Sequence, residues 1–359
     1  MGLKLSIQKP LPIGVDLGHS TLRLAQLRHV DGGLELLAAA AAEVPAPLRE
    51  DLQKCLGFQA QLIRQILASR PFKGRRAVLC LPSHSIFLQS VKLPMSPPSE
   101  VENMVRGELE GKLPYPIERA VIRSLPAGTV YADGGEMQER IVIAVARDDL
   151  DAYLGMAHKA GLEVVGVDVQ ACAVVECFQH LLRRESDEDK LTLFVDIGSS
   201  STQVVIARGK KLVFARSLAL GGLTLDRELQ SAVKIPLEQA RQARRRMAEG
   251  QAQPGAEDEL FRLLDPKLAE IADEIARCLV YYERSFNVNA VDKAVFLGGE
   301  ANNSRLCQCI ARRLNLPATI GDPMAGLRLP QGLEGFEAGK PQPSWAVAIG
   351  LSLGAHCAA

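Results

Sequence analysis

At 359 residues the chain is too long for one ordinary hydrophobic core, so two or three domains are expected. Lys plus Arg and Asp plus Glu both number 42, a balance that excludes a broad electrostatic footprint for nucleic acid or an anionic membrane surface. Hydrophobic residues make up 47% but aromatics only 4%, which suits helices packed on sheets better than an all-β sandwich.

The charge runs that do occur, Arg183-Arg184 against Glu185 to Asp189 and the arginines at 241 and 244 to 246, read as solvated faces. Eight cysteines are scattered; Cys307 and Cys309 form a lone C-x-C with no His or second Cys pair beside it, so zinc spacing is lacking. Cys80 and Cys278 sit among apolar neighbours and read as small buried hydrophobes in a reducing compartment. No apolar run approaches the length of a membrane span and the N-terminus has no signal-peptide core, so a cytoplasmic protein is expected. Met1-Gly2 with Ser6 matches the formal N-myristoylation pattern, without further support.

In chain order, Ile13 to Leu17 reads as a buried strand, Gly18-His19-Ser20 as a turn, and Thr21 to Leu27 as a second strand. Asp31-Gly32-Gly33 is a hairpin turn leading into a third strand over Leu34 to Val44, and Leu52 to Ser69 has helical spacing. From Arg75 the texture changes. Strands are expected at Ala77 to Leu81 and Ile86 to Leu93, then a helix opened by a Ser99–Glu102 capping box, then strands at 119–125 and 139–146. A helix opening at Asp148 stops at Gly161, Leu162 to Val169 is a strand, and 171–184 a helix. The acidic stretch Glu185 to Asp189 reads as an exposed link. Beyond it three strands recur at Leu191 to Ile197, Thr202 to Ala207 and Leu212 to Leu218. Helical segments fill 223–286, Lys293 to Leu297 is a strand, a helix covers 302–314, and Arg328 to Pro343 is a surface loop.

The decisive feature is an internal repeat. Val15-Asp16-Leu17-Gly18-His19-Ser20 returns 180 residues later as Val195-Asp196-Ile197-Gly198-Ser199-Ser200, each copy between the first two strands of a meander. Glycine at 18 and 198 lets backbone N–H groups approach phosphate oxygens, and Ser20, Thr21, Ser199, Ser200 and Ser201 add hydroxyl donors. Asp16 and Asp196 would repel phosphate and make sense as holders of a hydrated Mg²⁺. A third element, Ala294 to Glu300, is an apolar strand running into Gly298-Gly299, whose backbone can lie flat under an adenine or ribose.

Together these residues resemble the actin, Hsp70 and hexokinase superfamily, with the two aspartate hairpins as phosphate motifs and Gly298-Gly299 as the adenosine motif. The phrases at 81–94, 100–116 and 141–170 are similar to those of the PilM family of type IV pilus assembly, in the FtsA/PilM branch, and the resemblance runs from 13 to 356. It implies an actin-like, two-lobed, duplicated α/β fold with an inserted α+β subdomain in the first lobe. The first lobe would comprise 1–74, 166–190 and 345–359, the insert 75–165, and the second lobe 191–344 with a helical part at 233–289. It implies ATP with Mg²⁺ in the cleft between the halves. It also implies recruitment of the cytoplasmic N-terminal tail of a PilN-like membrane protein among other inner-membrane pilus platform proteins, with membrane contact only through that partner.

The resemblance also assigns single residues. Arg241 stands where relatives carry a Glu that contacts ribose, and Arg244 where they carry a Lys near adenine. His19 either touches a phosphate or is a turn residue. Gln170 either positions an attacking water, giving at most slow hydrolysis, or caps the helix that follows it. Three other readings are a GspL-like secretion component, an FtsA-like division protein and a small-molecule kinase of the same superfamily. The kinase would need a catalytic aspartate beyond Asp16 and Asp196, and the C-terminal residues 354–359 lack the basic amphipathic face expected of an FtsA-like protein.

Overall fold

The computed structural model describes residues 9–132, 134–182, 184–251, 255–287, 291–330, 336 and 339–354. The Met1-Gly2-Ser6 pattern, Arg183, part of the 328–343 segment and residues 355–359 lie outside the described residues.

In chain order the strands are β1 (Pro10–Leu17), β2 (Thr21–Val30), β3 (Gly33–Glu43), β4 (Arg76–Cys80), β5 (Phe87–Pro94), β6 (Ala120–Ala132), β7 (Gly135–Ala146), β8 (Glu163–Asp168), β9 (Leu191–Ile197), β10 (Thr202–Arg208), β11 (Lys211–Leu218), β12 (Lys293–Leu297), β13 (Ala318–Ile320) and β14 (Leu327–Arg328). The helices are α1 (Leu52–Ser69), α2 (Pro98–Leu109), α3 (Arg147–Lys159), α4 (Gln170–Gln179), α5 (Gly222–Val233), α6 (Leu237–Ala248), α7 (Ala256–Phe286), α8 (Ser304–Leu314) and α9 (Ala346–Leu353). They pack as two compact units: Met1–Pro82 with Asp148–Leu181 and Asp322–Ala359, and Ser83–Arg147 with Leu182–Gly321.

The main sheet of the first unit runs β14-β3-β2-β1-β4-β8, and that of the second β11-β10-β9-β12-β13. Apart from β14, both place a three-strand antiparallel meander beside two parallel strands, so the repeat in the sequence is a repeat of whole sheets. The reason is visible in β9, where every residue of Leu191–Ile197 is buried. A strand covered on both faces loses the polar alternation of a solvated sheet and reads as a continuous apolar run. Residues of α5, α7 and α8 complete that core with Leu225, Ile275 and Ile310.

In the first unit α9 lies against β1, and its Ser352 is wholly buried. The Ser352 hydroxyl donates to the Pro12 carbonyl at 2.8 Å and accepts from the Leu27 N–H at 2.9 Å. Ser352→Ala leaves both backbone groups without that partner, and the expected cost is about 1–3 kcal/mol. A chemical-denaturation midpoint unchanged from wild type would contradict this.

The third sheet, β5-β7-β6, belongs to the second unit. One face packs on α2 through Val91, Val105, Leu109 and Val142. It also meets α7, where Lys92 Nζ lies 5.6 Å from the ring centroid of Tyr281 and the Tyr281 hydroxyl donates to the buried Glu139 at 3.4 Å.

Several local expectations change. Strands β4 and β8 pair with β1 and with each other in the first unit's sheet, so the separate sheet begins at Phe87 rather than at Arg75. Helix α2 starts at Pro98 with Pro97 as its cap and no side-chain cap bond, so the Ser99–Glu102 box is absent. A proline's fixed φ is itself a helix start, and it leaves Ser99 as the second helical residue, two positions past the cap. Helix α4 ends at Gln179, and β13 and β14, of three and two residues, were too short for any periodicity to reveal. No helix among the described residues is long and apolar enough to cross a membrane.

Candidate functional site

In the first unit, Asp16 ends β1 next to Leu17 and pairs in register with Arg23 of β2 and Cys80 of β4, and Cys80 pairs with Asp168 of β8. These positions form a row at the carboxyl edge of three parallel strands, the edge at which open α/β sheets bind ligands. Asp16 is 6% exposed, and its Oδ2 stands 3.9 Å from Arg23 Nη1, beyond hydrogen-bond reach. Burial pushes its carboxyl up to about 6, against the pull of the Arg23 charge. Gly18, His19, Ser20 and Thr21 follow as a half-buried loop, tied down by the Val44 N–H donating to the Ser20 carbonyl at 2.9 Å.

Gln170 is the first residue of α4 and makes no cap bond. The N–H of Val169 is bound instead by Asp168 Oδ1 at 2.8 Å, so Asp168 fixes the entry to the helix and the capping role considered for Gln170 is not observed. Gln170 Oε1 is buried and meets no hydrogen-bond donor among the described residues. An amide oxygen in that condition is an acceptor for water or ligand. Sequence reasoning passed over Asp168, whose only signal was an acidic residue ending an apolar strand.

In the second unit, Asp196 is 7% exposed and occupies the equivalent place on β9. The loop Gly198–Ser201 closes on itself, with the Gly198 N–H donating to the Ser201 carbonyl at 2.9 Å. It is fastened to the start of α5 by Gly222 N–H to the Gly198 carbonyl at 3.0 Å and Leu223 N–H to the Ser199 carbonyl at 2.7 Å. Ser201 Oγ lies 2.7 Å from Ser83 Oγ, a contact that nothing in the sequence signals.

Strand β12 runs parallel to β9 with Leu297 opposite Asp196, which delivers Gly298-Gly299 to the same edge. Gly298 has φ 86, and a Cβ there would collide with Asp196 Oδ1 and the Ile197 carbonyl. Its backbone therefore lies directly on the aspartate, a close approach that the missing Cβ permits.

Arg241 and Arg244 of α6 come to this region but are already engaged. Arg244, 8% exposed, donates from Nε to Asp226 Oδ1 and from Nη2 to Glu300 Oε2, both at 2.8 Å. Arg241 reaches Asp226 Oδ2 and Glu238 Oε2 at 3.4 Å. Burial pushes the Glu300 carboxyl up and the Arg244 charge pulls it back. Arg244 is therefore not part of a solvated face, as the run of arginines had suggested, because two carboxylates on other elements hold it inside. Asp226 and Glu300 were not foreseen, because helical spacing says nothing of a partner on another element.

A profile of the type IV pilus assembly protein PilM family matches residues 14–356. Among solved structures, a chain of a PilM-PilN type IV pilus biogenesis complex is similar at 25% identity and a TM-score of 0.78, with 95% of this chain and 97% of that one covered. The ethanolamine utilization protein EutJ from Carboxydothermus hydrogenoformans shares the fold at 16% identity and a TM-score of 0.55, covering 97% and 91%. The fold is therefore the actin-like duplicated one, and on the match across residues 14–356 the chain belongs to the type IV pilus assembly protein PilM family.

Proposed function

We propose that this chain is a cytoplasmic adaptor of the type IV pilus inner-membrane platform, holding the N-terminal tail of a PilN-like membrane protein and binding ATP with Mg²⁺. The observation that carries the partner is the likeness, across 95% of the chain, to a chain from a complex with PilN. A short tail of that kind docks as an extended peptide, through main-chain hydrogen bonds and pockets for alternate side chains.

The residues present fit a nucleotide's phosphates. Each unit's hairpin loop by itself offers backbone and hydroxyl donors, at Gly18 to Thr21 in the first and at Gly198 to Ser201 in the second. Asp16 and Asp196 are buried carboxylates, 6% and 7% exposed, each at the end of the strand that leads into its unit's glycine loop, and such carboxylates are the kind that hold a hydrated Mg²⁺. When bound, Mg²⁺ would neutralise phosphate charge. Gln170, with its bare Oε1, would orient a water, and an amide is so poor a base that turnover would be slow. ATP then serves to bias the conformation of the adaptor, through its differential affinity for two states.

The test is fluorescence anisotropy of a labelled PilN-like tail peptide titrated with the whole chain, with and without Mg-ATP. Saturable peptide binding, with Mg-ATP affinity falling at least about tenfold in Asp16→Ala/Asp196→Ala, is the expected result. A folded chain that binds no such peptide removes the adaptor reading. One that binds peptide but no ATP leaves a scaffold and removes the nucleotide.

A further inference from the structure

The Arg244 guanidinium is held by carboxylates on two other elements, Asp226 of α5 and Glu300 just beyond β12. Only one oxygen of Glu300 is taken up by that bond. The other, Oε1, rests against Gly222 at a point where an added Cβ would collide with it. Gly222 is the residue whose N–H is bonded to the Gly198 carbonyl of the second phosphate loop, and Glu300 is two residues beyond Gly298, which lies on Asp196. A carboxylate oxygen thus stands beside the phosphate loop, on a side chain that keeps 21% of its exposure.

We infer that Glu300 reads the sugar of a bound nucleotide, accepting a ribose hydroxyl through Oε1 while Arg244 and Asp226 hold the carboxylate in place. The inference rests on the nucleotide reading above. Its physical basis is that an ionised oxygen repels phosphate and that Arg244 already supplies this carboxylate with its cation, so the ligand group it suits is a neutral hydrogen-bond donor. The sugar is the first such group along the chain from the phosphates. Arg244, which touches the carboxylate and not the sugar, is then a positioning residue.

The test compares Mg-ATP, 2′-deoxyATP, 3′-deoxyATP and tripolyphosphate by equilibrium binding to the whole chain and to Glu300→Gln. Arg244 Nη2 demands an oxygen facing it, so the glutamine must turn its NH₂ toward the sugar and present a donor where Oε1 accepted. The wild type is expected to prefer ATP over one deoxy analogue by about tenfold or more, as a charge-assisted hydrogen bond requires. Glu300→Gln should lose that preference while binding tripolyphosphate at least as well as wild type. Glu300→Asp, which withdraws the carboxylate by one methylene and keeps the charge, should lose it too. Equal wild-type affinity for ATP and both deoxy analogues overturns the inference, as does an undiminished preference in either folded variant. A wild type that binds no nucleotide at all overturns the nucleotide reading beneath it, a result distinct from the other two.

Discussion

Arg244→Met is expected to lower stability by about 3 kcal/mol, one of the two largest effects foreseen for a single side chain here. The guanidinium donates to two carboxylates at 2.8 Å, with Asp226 only 3% exposed. Removing it leaves two negative charges close together with Arg241 alone, at 3.4 Å from Asp226, to offset them. The loss belongs to the broken pair rather than to the network as such, because buried ion clusters are weak net contributors when intact. Adding Asp226→Asn and Glu300→Gln to Arg244→Met should therefore recover most of it. Denaturant midpoints of the single and triple variants measure both statements. A triple variant no more stable than the single one would mean that packing, not charge, is lost.

Asp16→Asn is expected to act in the opposite direction and only above a certain pH. Burial raises the Asp16 carboxyl from 3.8 to about 6. Between those values the folded chain binds more protons than the unfolded one, so the stability associated with this group is present below about 4 and lost as pH rises through 6. The shift corresponds to about 3 kcal/mol at neutral pH, each unit being worth about 1.4 kcal/mol. Asn removes that cost. Its Tm should exceed that of wild type by several degrees at pH 7.5 and match it near pH 4. Equal or lower stability of Asp16→Asn at pH 7.5 would show that the Arg23 charge, 3.9 Å away, already compensates the burial.

Much of the architecture was legible because the repeat is carried by residues that geometry constrains. The strands that carry Asp16 and Asp196 one residue from their ends lie inside their sheets, so they read as apolar runs with an acid just before the closing glycine. Helix α1 matched its sequence span, since it presents an apolar pattern bounded by clear breaks. What escaped were relations between distant segments. Strand β4 looked like the start of the insert because nothing in Arg76–Cys80 records that its partners are β1 and β8. The partners of Arg241 and Arg244, Asp226 and Glu300, lie on other elements and gave no sign in the sequence. Ser83 gave no sign of its contact with Ser201, 118 positions away. Pairings of this kind depend on the fold as a whole and leave no periodicity in either segment.

The seating of α9 has a consequence for how the protein is made. Ser352 closes bonds to Pro12 and Leu27, across 340 and 325 positions of chain. A ribosome delivers β1 and β2 long before the helix that covers them, so that face of the first sheet stays uncovered until α9 emerges. The second unit, drawn from 83–147 and 182–321, has all of its segments in hand before α9 emerges. Loop closure over so many residues is slow. Chain order therefore makes the second unit the earlier folder, and the nascent first sheet is the surface that chaperones would have to shield.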